Sequence, residues 1–325
     1  MSGRLPTALG IAAETATGRS RRRRLGARRL GAGAVPYLLI LPVVGVMGAI
    51  LGYPMVNLFR ISLQRYGLFE LIQRHGVDVG LANFRSVLHD AVFWHTLLRT
   101  VVFTVANVGL TVVLGTLLAL LLVRVSAWVR ILLTAGLVLV WSMPQVVAVQ
   151  VWKWMTNFQN GVLNYVLTEL HVGDFFQHDW YASPFSQLSL VTALIVWEGL
   201  PFVAITVYAA LSQVPKELVE AAEIDGAPGW KVFRDVTVPI ITPVLLILTS
   251  LSILWDFGVF TQPYLLIGQP HVTPSNYLMG IYLFQQYYTA DFGRGAAISV
   301  LMLVMVAAMS VVYVRRMVRI GEVDA

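Results

Sequence analysis

Two acids stand alone inside long apolar runs of this chain: Glu198 within Phe185 to Leu211, and Asp256 within Val236 to about Gln262. A carboxyl group set among so many apolar neighbours is costly to keep, so it is a functional candidate by default. It binds a polar solute or pairs with another helix. Asn107 and Gln145 add uncharged donors and acceptors near the middle of two further apolar runs. Bond-making chemistry is poorly supplied. The chain has no cysteine, which excludes disulfides, thiolate metal sites and a cysteine nucleophile. Its six histidines (His75, His89, His95, His171, His178 and His271) show no H-E-x-x-H or other metal spacing, apart from a loose grouping of His171 and His178 with Asp174 and Asp179. No G-x-x-x-x-G-K-[ST] phosphate loop is present.

The elements that must position those groups follow from composition. The 325 residues are 57% hydrophobic and only 12% charged, about half the charged share of an ordinary soluble domain. That is too little polar surface for a water-soluble globule, and it also excludes a disordered chain. Runs free of Asp, Glu, Lys and Arg cover Pro36 to Phe59, Thr100 to Val123, Ile131 to Trp152 and Gly295 to Val314. With the two runs that carry Glu198 and Asp256, the pattern predicts six transmembrane helices over about 36–59, 96–123, 131–154, 186–211, 238–262 and 293–314. The runs lack the alternation of a membrane barrel, so the expected fold is an all-α integral membrane protein.

Basic residues set the expected orientation. Eight arginines lie in the N-terminal tail, and Arg124, Arg130, Lys216, Lys231, Arg234, Arg315, Arg316 and Arg319 fall on the same side. The opposite side holds Arg60, Arg65, Arg74, Arg85, Arg99, Lys153 and Arg294. Both termini are therefore expected in the cytoplasm. The basic tail, residues 1–34, is explained by orientation and anionic headgroups and is expected to be disordered. It implies neither nucleic-acid binding nor a cleaved signal. The membrane domain spans 35–316, and 317–325 form a C-terminal tail. A short helix is expected near Asn83 to His89. The aromatic stretch Tyr277 to Tyr288 reads as an interfacial or partner-facing helix.

The connection between the fourth and fifth spans, 212–239, is more than a plain loop. Pro215 is well placed to open a helix, Lys216 to Ile224 are good helix formers, and Gly226 can end the helix in a left-handed conformation. A second short helix is expected from Pro228 to Asp235, with Trp230 and Phe233 on one face and Pro239 in the first turn of the fifth span. The apolar side of the first helix (Leu218, Ala221, Ala222 and Ile224) requires a cover, either a partner protein or lipid.

The run Glu220-Ala221-Ala222, three residues, Gly226, nine residues, Val236-Thr237-Val238-Pro239 resembles the EAA loop of ABC-importer permeases, E-A-A-x3-G-x9-I-x-L-P. Valines replace the Ile and Leu of that pattern. From about residue 35 to 316 the chain is similar to the carbohydrate branch, the maltose and glycerol-phosphate type. The similar residues are Gly80-Leu81, Asn83-Phe84, Leu88, Asp90, Phe93 and Thr100 before and into the second span. Pro144, Trp152, Trp154, Gly161 and Asn164 follow around the third, then Trp197, Pro201, Phe202 and Asp225-Gly226-Ala227. The family's GGP appears only as Gly268-Gln269-Pro270.

The resemblance implies the type I importer permease fold, with six transmembrane helices and a cytoplasmic coupling helix. It implies a bacterial inner-membrane subunit that forms half of a sugar pathway, most naturally for an oligosaccharide. Its implied partners are a second homologous permease, two copies of a cytoplasmic ATPase and an extracytoplasmic solute-binding protein. ATP and magnesium would be bound by the ATPase, with no cofactor and no catalytic site in this chain. Coupling would run through Glu220, Ala221, Ala222, Asp225, Gly226 and Pro239. Sugars are held by hydrogen bonds and by stacking on rings, so Trp255, Gln262 and Tyr264 join Asn107, Gln145, Glu198 and Asp256 as candidate pathway residues. Trp141, Trp152 and Trp154 read as belt or packing residues. The alternative is a self-sufficient secondary carrier or channel, which calls for an inverted repeat or ion-coupling acids.

Overall fold

The computed structural model describes Tyr37 and residues 39–323. The expectation for the tail 1–34 lies outside them. The described residues form two units that divide between Arg60 and Ile61. The first is most of one apolar helix, α1 (Leu39–Ser62), whose Gly48–Gly52 turn is a π-turn.

The second unit begins with a two-stranded antiparallel ribbon, β1 (Gln64–Arg65) and β2 (Val77–Asp78), around α2 (Leu68–Gln73). Then follow α3 (Ala82–Leu88), α4 (Ala91–Arg124), α5 (Ala127–Trp141), α6 (Gln145–Met155) and α7 (Val162–Glu169). The chain continues through α8 (Pro184–Leu211), α9 (Lys216–Ile224), α10 (Gly229–Phe257), α11 (Thr261–Ile267), α12 (Met279–Tyr288) and α13 (Phe292–Val323). Among the described residues, α1, α4, α8, α10 and α13 are each long and apolar enough to cross a membrane, and α5 with α6 makes a sixth span if that broken pair is counted as one.

Two expectations about span boundaries are corrected. The helix expected over 131–154 is broken, and its axis turns by 101° between α5 and α6. The cause is Pro144, which has no N–H to donate and disfavours helical backbone at Met143. The fifth span starts at Gly229, well before 238, so the expected second loop helix is the first turns of α10 itself. A π-turn at Phe233–Thr237 lies immediately before Pro239, the residue that cannot continue the backbone ladder. At its other end α10 stops at Phe257, so Gln262 falls on α11 and not on the span.

The core is built on α4 packed along α8. Gly115 allows the approach, because a Cβ there would lie 2.6 Å from Val203 Cγ1. Small residues at such crossings let two backbones draw close where lipid provides no hydrophobic drive. Ala119, Val203 and Val207 are buried beside it. A second cluster (Phe103, Val149, Leu190, Leu194, Leu266 and Ile281) joins α4, α6, α8, α11 and α12.

At the end of the bundle opposite α9, polar side chains pin the long connection into α12. Arg99 Nη1 donates to the carbonyls of Tyr277 (2.9 Å) and Pro274 (3.2 Å), and the Met279 N–H donates to Thr100 Oγ1 (2.9 Å). Asn276 Nδ2 donates to Gln187 Oε1 at 2.6 Å. As a result α12 is not a surface-lying helix: Met279 to Tyr282 are buried, and only its far end is strongly exposed.

Asp90 caps α4, accepting from the Val92 N–H at 2.8 Å. It also pairs with Arg294 of α13 and accepts from the Tyr282 hydroxyl at 2.9 Å. Arg294 Nη2 donates to the same Tyr282 oxygen at 3.0 Å. Burial raises the Asp90 carboxyl pKa, but the hydrogen bonds from Tyr282 and Val92 and the charge of Arg294 outweigh it and hold the group below its ordinary value. Burial and then the Asp90 contact push the Tyr282 phenol up to about 12. A depressed acid stabilises the fold above its unfolded pKa of roughly 4 and loses that contribution as pH falls through the lower folded value. Replacing Arg294 with Met should cost about 2 kcal/mol, between the ~1 kcal/mol of an exposed pair and the ~3–5 kcal/mol of a broken buried one, because the pair is partly exposed. Thermal unfolding of the detergent-solubilised protein is expected to show wild type losing stability below about pH 4. Asp90→Asn should start lower at neutral pH and change less across that window.

Candidate functional site

A cavity of about 450 Å³ opens where the breaks between α5 and α6 and between α10 and α11 meet the middle of α8. The break between α5 and α6 contributes Trp141, Met143 and Gln145, and α8 contributes Glu198, Gly199 and Phe202. Trp255 and Asp256 come from the last turn of α10, and Phe260, Thr261 and Gln262 from the turn into α11. The local sequence dictates this convergence. Pro144 ends one helix path and Gly258 the other, so two polar side chains, Gln145 and Gln262, sit just past the breaks.

Glu198 is held rather than free. Gln262 Nε2 donates to its Oε2 at 2.9 Å, while Oε1 is buried without a hydrogen-bond partner among the described residues. Asp256 is 8% exposed and lines the same cavity. Among the described residues no lysine or arginine lines the cavity, and its polar side chains include two carboxyl groups, two amides and a threonine hydroxyl. One wall is aromatic. The Trp141 and Phe202 rings stack at 6.0 Å and 16°, and Phe202 meets Trp255 at 5.7 Å. Few polar groups in a mostly apolar concavity is the ordinary design of a small-molecule site.

Of the seven candidate pathway residues, the fold brings five together: Gln145, Glu198, Trp255, Asp256 and Gln262. Two lie elsewhere. Asn107 is fully buried between helices, and its Nδ2 donates to the Phe103 carbonyl (2.8 Å) and to Thr192 Oγ1 of α8 (3.5 Å). It serves the α4–α8 packing. Tyr264 stands behind the wall, stacked on Phe260 at 4.9 Å and sharing a hydroxyl hydrogen bond with Tyr288 at 2.9 Å. Conversely, Trp141, expected as belt or packing, lines the cavity with Phe202, Phe260 and Met143. Only the combination of Pro144 with the flanking Trp141 and Gln145 hinted at this.

The segment expected to couple lies beyond the C-terminal end of α8. Helix α9 is flanked by Pro215 and Asp225 at its two caps, and Gly226 takes φ +79° with its N–H donating to the Glu223 carbonyl at 3.0 Å. The Ala227 N–H donates to the Ala222 carbonyl at 3.0 Å, which closes the helix end. Glu220, Ala221, Asp225 and Gly226 are exposed, as is Pro239. Ile224 is 85% exposed and Leu218 50%. Trp230 is exposed next to Phe233, with ring centroids 5.8 Å apart.

Residues 111–320 match the sequence family described as binding-protein-dependent transport system inner membrane component. The chain is 38% identical over 299 residues to the diacetylchitobiose uptake system permease protein DasB of Streptomyces coelicolor, covering 92% of this chain and 90% of the relative. It is 32% identical over 282 residues to the trehalose/maltose transport system permease protein MalF of Thermococcus litoralis, covering 86% and 92%. Among solved structures, it superposes on a chain of a bacterial ABC transporter involved in the import of the acidic polysaccharide alginate. The TM-score is 0.75 at 18% identity, over 90% of this chain and 99% of that one. That likeness is one of fold.

The absence of cysteine makes the cavity testable one position at a time. In an otherwise unchanged chain, single substitutions Gln145→Cys, Trp255→Cys and Asp256→Cys should react with a membrane-impermeant, water-borne thiol reagent in at least one state of the transport cycle. Asn107→Cys should stay unlabelled until the protein is denatured. Equal labelling of all four would show that the cavity and the α4–α8 contact are not distinct environments.

Proposed function

The chain belongs to the family of binding-protein-dependent transport system inner membrane components, and on that premise we propose that it is the permease subunit of an ATP-driven importer for a neutral oligosaccharide. The observation that carries the coupling half of this reading is α9. It is a short helix in which Glu220-Ala221-Ala222 precedes Gly226 at the family spacing, and its apolar side chains Leu218 and Ile224 are exposed. Such a face needs a protein cover. An ATPase groove on the cytoplasmic side supplies it, and Ala221 and Ala222 permit close approach. Gly226 reaches its left-handed backbone without the strain that a side chain would add.

The solute half rests on the cavity. Among the described residues the lining offers two carboxyl groups and no lysine or arginine to pair with a phosphate or uronate, so a sugar phosphate or an acidic polysaccharide is disfavoured. Amides, acids and a stacked aromatic wall suit the hydroxyls and the apolar faces of an uncharged sugar. The named substrates of two relatives, diacetylchitobiose and trehalose/maltose, belong to that class.

In this reading the chain is one half of the pathway, beside a second, homologous permease in the inner membrane, with both termini cytoplasmic. An extracytoplasmic binding protein delivers the sugar. Two ATPase copies hydrolyse ATP with magnesium, and this chain holds no nucleotide. A self-sufficient carrier or channel, the other reading of the sequence, predicts uptake by the chain alone without ATP.

The test is reconstitution of the full complex in proteoliposomes. Uptake should require ATP, the binding protein and both permeases. A Cβ added at Gly226 meets no atom within 4 Å, but Gly226→Leu must adopt φ +79°, so it should distort the end of α9 while leaving the membrane domain intact. The expected outcome is loss of ATPase co-purification, or sugar-independent ATP hydrolysis, with uptake reduced more than tenfold, the equivalent of about 1.4 kcal/mol of lost coupling. Full uptake by Gly226→Leu, or uptake without ATP, would sink the reading.

A further inference from the structure

The cavity wall continues outward as a row of aromatic rings. Phe260 lines the cavity, and its ring lies 4.9 Å from Tyr264 and 4.8 Å from Phe284 of α12. Phe284 in turn meets Tyr264 at 5.0 Å, Tyr288 at 5.4 Å and Tyr287 at 6.0 Å. The row ends in the open, with Tyr287 64% and Tyr288 59% exposed.

Two features separate this row from ordinary lipid-facing surface. The first half of α12 is buried and anchored to α4, so Phe284, Tyr287 and Tyr288 are carried on a fixed support. The row also carries hydroxyls in a set arrangement: Tyr264 and Tyr288 share one hydrogen bond at 2.9 Å, which leaves one hydroxyl hydrogen of the pair free for a ligand. The rings meet at mixed angles, near-parallel for Phe260–Tyr264 (20°) and Phe284–Tyr287 (15°) and edge-to-face for Phe284–Tyr288 (87°), so the exposed Tyr287 and Tyr288 rings with the nearby hydroxyls are what a pyranose ring, with its C–H face and equatorial hydroxyls, would meet.

We propose that Phe260, Tyr264, Phe284, Tyr287 and Tyr288 form an outer stacking subsite for the oligosaccharide, continuous with the cavity, on which sugar rings beyond those inside the cavity rest during entry. This rests on the sugar-importer reading and adds to it a dependence on chain length. Inner rings contact Trp255, Gln262 and the acids, and further rings contact the track.

The experiment uses the reconstituted full complex with a panel of glucose, maltose, maltotriose, diacetylchitobiose and triacetylchitotriose. Uptake kcat/KM is measured for wild type, for the double variant Tyr287→Leu/Tyr288→Leu, and for Tyr288→Trp, which keeps a flat ring. In the leucine variant the ratio of trisaccharide to disaccharide kcat/KM should fall about fivefold, as expected for one lost stacking contact, and Tyr288→Trp should hold it near the wild-type ratio. An unchanged ratio overturns the track. So does an equal fall for every sugar, which would mark the patch as a docking or headgroup surface, and so does loss of the second permease from the purified complex, which would mark it as a subunit interface. Failure of wild type to take up any sugar of the panel overturns the sugar reading itself, and the track with it.

Discussion

A helix satisfies its own backbone, and a broken helix does not. At membrane depth no lipid group can take up the freed N–H and C=O groups, so a break survives only where protein or a water-accessible cavity shelters it. Among the described residues, breaks at Ser142 to Pro144 and at Gly258 to Phe260 both contribute to the lining of one cavity. The site therefore follows from a backbone constraint before any side-chain chemistry is considered. Once the two breaks face each other across α8, Gln145 and Gln262 are delivered beside Glu198, and the aromatic wall closes the remaining sides.

That arrangement needs a rigid frame, because the breaks themselves supply little stiffness. The frame is α4 against α8, where Gly115 removes the side chain that would hold the helices apart. It is reinforced away from α9 by short polar ties. Arg99 holds the backbone before α12, Asn276 holds Gln187 of α8, and Asp90 gathers α13 and Tyr282 onto the start of α4. These ties lie at helix ends, where a charge can be paired without carrying the full desolvation cost of the interior. They fix α12, and through Phe284 they fix the rings behind the cavity wall.

Much of this was legible from residue types, and the parts that were not share one cause. Runs of apolar residues mark the spans because hydrocarbon thickness sets a minimum length. The spacing from Glu220 to Pro239 marks α9 because a helix, a left-handed glycine and a second helix follow from local preferences. The bend at Pro144 was hidden, since a proline inside an apolar run is compatible with a kink as well as with a break of 101°. The early start of α10 was hidden too: Pro228 to Asp235 reads as a separate short helix, and its continuation into the span through the π-turn at Phe233–Thr237 is set by the folded chain. Asn107 and Tyr264 have the right chemistry for a polar site, yet each is turned by tertiary packing onto a helix neighbour or a ring stack. Depth along a helix can be read from sequence, but facing cannot, where every face is apolar.

The continuity of α10 links the two ends of the molecule. It runs 29 residues, from Gly229 beside α9 to Phe257 next to the cavity acid Asp256, a length of roughly 43 Å at the usual helical rise. In the proposed importer, a displacement applied to α9 enters α10 within one turn, and the helix carries it to Trp255 and Asp256. Glu198 is on α8, and its partner Gln262 lies beyond the Gly258 break on α11, so the Glu198–Gln262 hydrogen bond joins two elements other than the one that carries Asp256. In that importer a shift of α10 along its packed contact with α8 would change the distance between the two acids while the Glu198–Gln262 pair stays together. A cavity whose carboxyl groups sit on separately movable helices can hold a polyhydroxylated solute in one arrangement and loosen it in the other, without either acid leaving the protein interior.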